Sequence, residues 1–187
     1  MIAYHLVLTA YGFWLPNDPR GSWSDEVRVF ALRPFGAATK VNTRRSVAKV
    51  EHNRLRRVSA KSALKYPPVK FNGVQARAVA RGIAEVCGSH QVMVRAAAVM
   101  PDHVHLVVDR HAAVSIEDVA RRFKAAATRR LNHEGVGFRR SPWAKGRWSV
   151  FLRDEAAVVR AVRYVEQNPA RAGLRPQRWS FVTAMDG

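Results

Sequence analysis

Apolar and polar residues alternate from the start of the chain. Over residues 2 to 9, Ile2, Tyr4, Leu6 and Leu8 fall on one side and His5 and Thr9 on the other, which is the period of a strand. The segment GFWLPNDPRGSW (residues 12 to 23) is punctuated by Gly, Pro, Asn and Asp and reads as a structured loop carrying Trp14 and Trp23. From Asn72 the spacing becomes helical, with Val74, Ala78, Ile83 and Val86 on one stripe and Gly88 at the expected end. QVMVRAAAV (residues 91 to 99) and HVHLVV (residues 103 to 108) read as two strands of a hairpin, linked tightly through Met100, Pro101 and Asp102. Ser115 suits the N-cap of a helix through Asn132, with Ile116, Val119, Phe123, Ala127 and Leu131 apolar and an arginine-rich opposite side. After a basic loop with Trp143, WSVFLR (residues 148 to 153) is a further strand. Asp154 then caps a last helix that Pro169 is expected to stop, leaving an irregular tail over residues 170 to 187.

The order strand, helix, strand, strand, helix, strand predicts the α+β class. The expected architecture is a ferredoxin-like βαββαβ antiparallel sheet with both helices on one face, plus a C-terminal helix bearing a tyrosine. A chain of 187 residues suits a single domain, here with a basic arm around residues 40 to 70. That arm carries ten Lys or Arg against one acid, Glu51. Much of it can be helix, ending before Tyr66, Pro67 and Pro68. It reads either as a solvated basic face or as a segment that tracks phosphates, and the charge of the whole chain favours the second.

Charge narrows the partner class. Thirty-two Lys and Arg against fourteen Asp and Glu give a net charge of +18. A domain this basic meets polyanions, because counterions released from a phosphate backbone drive association. Nucleic acid is therefore the expected partner, with a generally basic, arginine-rich proteome as the plainer explanation. No run approaches the roughly 18 apolar residues of a membrane span. The opening MIAYHLVLTA reads as a strand and not as a signal peptide. With Cys87 the only cysteine, neither an internal disulfide nor a cysteine-based zinc site is available, and a cytoplasmic location is expected.

Two places carry chemistry. In HVHLVV, His103 and His105 are two apart on a strand and so project side by side, while Val104, Leu106 and Val108 point the other way into a core. The alternation predicts one buried face and one open face offering two imidazoles, a geometry able to hold a divalent cation if a third ligand joins. Taken alone, the pair reads equally as two histidines on a half-exposed strand. In the last helix, Val158, Ala161, Val162 and Val165 form the buried stripe, and Arg160, Arg163 and Gln167 lie opposite. Tyr164 and Asn168, four apart, fall on the border between these faces. The plain reading of Tyr164 is amphipathic packing, and Asn168 before a proline reads as a last-turn ligand or a C-cap.

In combination, the chain resembles the HUH-type single-strand transposases, in particular their REP-associated tyrosine transposase branch. YHLVLTAYGFWLPNDPRG, VMPDHVHLVV and YVEQNPARAGL carry the resemblance in the family's order and cover about a fifth of the chain directly. The resemblance implies that His103 and His105 bind a metal, that Tyr164 is the nucleophile, and that Asn168 completes the metal site. It implies a divalent cation, Mg or Mn, although imidazole ligands by themselves also suit Zn, Cu, Fe or Ni. It further implies cleavage and rejoining of single-stranded or hairpin palindromic DNA through a 5′-phosphotyrosine; relatives include monomers and dimers that exchange the tyrosine helix, and the nearest branch favours a monomer. Asp102 stands where many relatives have Asn, which bears on the local turn and charge and leaves the histidine pair intact. The role of residues 40 to 70 is not carried over.

For the DNA, Trp14, Trp23, Trp143 and Trp179 are candidates to stack on bases, with core packing the plain reading of each. Arg20, Arg121, Arg122, Arg129, Arg130, Arg139, Arg140, Lys145, Arg147 and Arg171 are candidates to follow the backbone. The alternative function is a nucleic-acid-binding regulator of the same fold without cleavage. Binding alone requires neither the histidine pair nor Tyr164.

Overall fold

The computed structural model describes residues 3–16, 18, 27, 30–38 and 53–183. Within it the chain divides into two compact units, one of Met1–Thr9 with Lys70–Gly187 and one of Ala10–Val69.

The larger unit holds four strands, β1 (Ala3–Thr9), β2 (Val94–Val99), β3 (His103–Asp109) and β4 (Trp148–Leu152). It also holds α2 (Gly73–His90), α3 (Ile116–His133) and α4 (Glu155–Arg171); α1 (Arg54–Ser62) belongs to the smaller unit. The sheet order is β2-β3-β1-β4 with every neighbour antiparallel. Together with the chain order β1, α2, β2, β3, α3, β4, this is the predicted βαββαβ arrangement.

Strand alternation divides the sheet into two faces. Leu6, Leu8, Val104, Leu106 and Val108 are essentially inaccessible on one. The α2–α3 layer covers them: α3 packs on β1 and α2 on β2, with Phe123 and Ile83 fully buried. The two helices approach closely because Gly82 faces the backbone of Ala127; a Cβ at Gly82 would lie 2.6 Å from the Ala127 Cα. On the other face α4 lays Val158, Ala161 and Val165 against Ala3, Ala96, Ala98, Met100 and Val107. The alanines of β2 leave room for a helix at short range, and α4 settles over β2 and β3.

The helix starts agree with their sequence signals. Asn72 forms a reciprocal capping box with Gln75, and the side chains of Ser115 and Asp154 accept from the backbone N–H of Asp118 and Ala157. Several ends do not. Gly88 lies inside α2, which continues to His90 and stops at Gln91 in a left-handed conformation (φ 52°). Val74, expected in its core stripe, is exposed in the first turn of α2. β2 begins at Val94 and not at Gln91, since residue 91 serves as the helix cap. Pro169 does not stop α4, which runs on to Arg171. A proline in the last turn forfeits a single bond to the Val165 carbonyl, and burial of its ring helps offset that loss.

The tail is partly held: the Gln177 side chain donates to the Val99 carbonyl and accepts from its N–H, and Val182 bridges to Val94 in parallel. No helix among the described residues is long and apolar enough to cross a membrane.

The smaller unit has a modest core of Leu15, Leu32 and Ala60, with a 3-10 helix at Phe30–Phe35 and the helix α1. Its ends are tied by the Val69 N–H donating to the Tyr11 carbonyl at 2.9 Å. Gly12 (φ 89°) sits so close to Pro68 that a Cβ would meet its Cα at 2.7 Å. Residues 40 to 52 of the basic arm lie outside the described residues.

Candidate active site on the histidine face

His103 and His105 share the sheet face with His5 because of register. Antiparallel pairing sets Val7 opposite His105 and His5 opposite Val107, so the His5 ring reaches His105 on the diagonal. His103 Nε2 and His105 Nε2 are 2.8 Å apart. His105 Nδ1 is 3.0 Å from His5 Nε2, and His103 Nδ1 is 2.6 Å from Asp102 Oδ1. Trp148 closes the far side, edge-on to His5 with ring centroids 5.0 Å apart.

The expected open face is in fact largely covered by α4: His105 is 7% and His5 9% exposed. Burial pushes the His5 imidazole down to about 4, with the neighbouring His103 adding to the effect. Burial likewise holds His105 well below the ordinary histidine range, reinforced by His103 and His5. Both rings are therefore neutral at pH 7, the form that can donate a nitrogen lone pair.

Tyr164 comes to this cluster from α4 of the same chain. Its ring centroid is 5.6 Å from that of His105 and 5.7 Å from that of His5, edge-on to both, and the side chain is 41% exposed. The border position read from the helix pattern is the cause, since Val165 is buried beside it and Arg163 points outward. The Arg171 guanidinium lies 5.8 Å from the Tyr164 ring centroid and also donates to Gln167 Oε1. Asn168 is half-buried one turn after Tyr164 and turns its Nδ2 back to the Tyr164 carbonyl at 3.0 Å.

A divalent cation fits the histidine pair in part. Two nitrogens bonded at about 2.1 Å to one octahedral ion stand about 3 Å apart, close to the separation here. Both rings have Nδ1 engaged, which turns Nε2 toward the shared point. Among the described residues no three His, Cys, Asp or Glu side chains form a metal-ligand group. The remaining positions would fall to an amide oxygen, water or phosphate.

The other candidates are spread out. Arg121, Arg122, Arg129 and Arg130 lie on α3, in the layer against the opposite face of the sheet. Arg121 pairs with Asp118, Arg130 with Glu85 and Glu134, and Arg122 contacts His90 at 2.9 Å. Arg129 is exposed. In the loop before β4, Arg139 and Lys145 are exposed, Arg140 is half-buried, and Arg147 pairs with Glu117 of α3. Trp143 is a core residue: it is buried, packs on Phe71 at 5.3 Å, and donates Nε1–H to the Lys124 carbonyl. Trp179 is half-buried. Trp14 belongs to the smaller unit, with an unusual positive φ of 54°. Arg20 and Trp23 lie outside the described residues.

Sequence reasoning missed His5 and Trp148 as site neighbours. The signal for His5 was present, since it interrupts an apolar strand on the side of Thr9. Only the β1–β3 register brings it to His105.

Comparison with known proteins bears on this site. No curated protein matches the sequence. Among solved structures, the chain is similar to a REP-associated tyrosine transposase bound to a REP hairpin, with 15% identity over 66% of this chain and 88% of that one and a TM-score of 0.46. It is also similar to a candidate transposase from Deinococcus radiodurans R1, with 15% identity over 88% of each chain and a TM-score of 0.39. The sequence profile described as "Transposase IS200 like" matches residues 63–168, more than half of the chain, and spans the histidine pair, Tyr164 and Asn168. The chain belongs to the IS200-like transposase family, and is a transposase by that membership.

Proposed function

We propose that this transposase cuts and rejoins single-stranded DNA folded as a hairpin, with Tyr164 as nucleophile and His103 and His105 as the cation-binding pair. The observation that carries the reading is the placement of the Tyr164 ring 5.6 Å from His105 within one chain, on the face where two imidazole nitrogens converge. Binding alone would not require that conjunction.

The Tyr164 oxygen attacks phosphorus in line. A P–O bond forms to tyrosine as the phenol gives up its proton, the bond to the 3′ oxygen breaks and that oxygen takes up a proton, and a 3′-hydroxyl is released while the 5′ phosphate stays on the protein. The phosphodiester energy is retained, so a 3′-hydroxyl can reverse the step without a nucleotide cofactor. A divalent cation bound at the pair would neutralise a non-bridging phosphate oxygen as charge develops. His103 and His105 would hold it through their Nε2 atoms, and Asp102 orients His103. Asn168, one turn from Tyr164 and with its Nδ2 on the Tyr164 carbonyl, would offer its amide oxygen to the same ion. Arg171 holds the tyrosine ring from its outer side, and the exposed Arg160 and Arg163 of α4 face an approaching strand. The cation is Mg or Mn, and the hairpin is a palindromic repeat of the REP type.

The test incubates the protein with labelled single-stranded hairpin DNA from the sequence flanking its own gene, with Mg or Mn. A covalent adduct on a denaturing gel is expected, lost in Tyr164→Phe while DNA binding persists. Absence of any adduct with tight hairpin binding would replace this reading with that of a non-cleaving regulator.

A further inference from the structure

The site holds a third imidazole that the reaction above leaves without a task. His5 comes from β1, 100 residues away from His105 in sequence, and its Nε2 lies 3.0 Å from His105 Nδ1. A ring that served only to fill the core beside Trp148 would gain nothing from polar contact there, and a buried polar ring is costly unless it is hydrogen-bonded.

The Asp102 carboxylate accepts from His103 Nδ1–H, which turns His103 Nε2 toward His105 Nε2, 2.8 Å away. A cation ligated by both Nε2 atoms demands the lone pair of His105 on Nε2 and its proton on Nδ1. His5 Nε2 is the group in reach of that proton.

We propose that His5 is a positioning residue of the cation site: its Nε2, 3.0 Å from His105 Nδ1, accepts the Nδ1–H of His105 and so holds it in the tautomer that leaves Nε2 free as a ligand. This rests on the reading that His103 and His105 hold the cation.

The test measures Mn²⁺ affinity of the DNA-free protein by calorimetry for wild type, His5→Phe, His5→Gln and His103→Ala. In parallel, the imidazole nitrogens of the wild type are followed by ¹⁵N NMR as Mg²⁺ is added. His5→Phe keeps the ring volume and loses the bond, so its affinity is expected to fall about 10- to 100-fold. His5→Gln can turn either its oxygen or its NH₂ to His105 and is expected to restore most of the affinity. In the Mg²⁺-saturated protein the His105 proton is expected on Nδ1. If His103→Ala abolishes binding while His5→Phe binds like wild type, His5 has no such role and the cation pair still stands. If His103→Ala binds like wild type, the pair and the proposal fall together. Should His5→Phe not fold, the NMR decides: a His105 proton on Nε2 in the Mg²⁺-saturated protein overturns the proposal.

Discussion

The two faces of the one sheet are built from the same strands and differ in nearly everything else. Against α2 and α3, β1 and β3 present Leu6, Leu8, Val104, Leu106 and Val108, all inaccessible and all hydrocarbon. Against α4 the intervening residues include His5, His103 and His105, and the covering helix brings Tyr164 rather than another leucine. One face is filled, and its worth is burial. The other accepts buried imidazoles that are held by one another, by Asp102 and by Trp148. Alternation lets a seven-residue strand serve a core and a reactive site at once.

The contrast is sharpest under truncation. Phe123→Ala in the filled layer is expected to cost about 3–5 kcal/mol of stability, read from urea unfolding. His103→Ala on the other face should lower the urea midpoint far less while abolishing the DNA adduct. Equal destabilisation by both would mean that the histidine face is simply a second core.

Between pH 7 and pH 5, acid should act chiefly on the histidine face. The His5 pKa is depressed from 6.5 to about 4, so the unfolded chain binds the proton more readily. Stability from this group is fully present above pH 6.5 and is lost as pH falls toward 4, by up to about 3 kcal/mol. His105 shifts in the same direction. Urea midpoints at pH 7 and pH 5 check this, and the difference should shrink in His5→Phe.

A smaller effect tests how tightly the filled layer is packed. Gly82→Ala inserts a methyl against the Ala127 backbone and is expected to cost about 1–3 kcal/mol, measured by thermal unfolding, with cleavage of DNA retained. The smallest change concerns Asp102. Asp102→Asn keeps an acceptor for His103 Nδ1 but removes its charge. Mn²⁺ affinity is expected to fall about tenfold, or about 1.4 kcal/mol, with unfolding unaltered.

Much of this arrangement was legible in the sequence because it rests on local periodicities. The side-by-side histidines, the caps at Asn72, Ser115 and Asp154, and the border position of Tyr164 follow from periods of two and 3.6. Errors fell where neighbours outweigh local preference. Pro169 stays helical because its ring is buried in the last turn, and Gly88 is passed over because Gln91 takes the left-handed cap. Trp143, read as a possible base platform, is an interior residue whose indole N–H is satisfied by α3.

The sequence alone determined the strands and α-helices of the larger unit, the pairing of His103 with His105 and the one-turn spacing of Tyr164 and Asn168, since each depends on residues a few positions apart. Only the tertiary structure decided that α4 returns over the histidine face, that Ala96 and Ala98 let it approach, and that His5 meets His105. Those outcomes depend on strand register and on which surfaces find room to pack, and both are set between residues far apart in the chain.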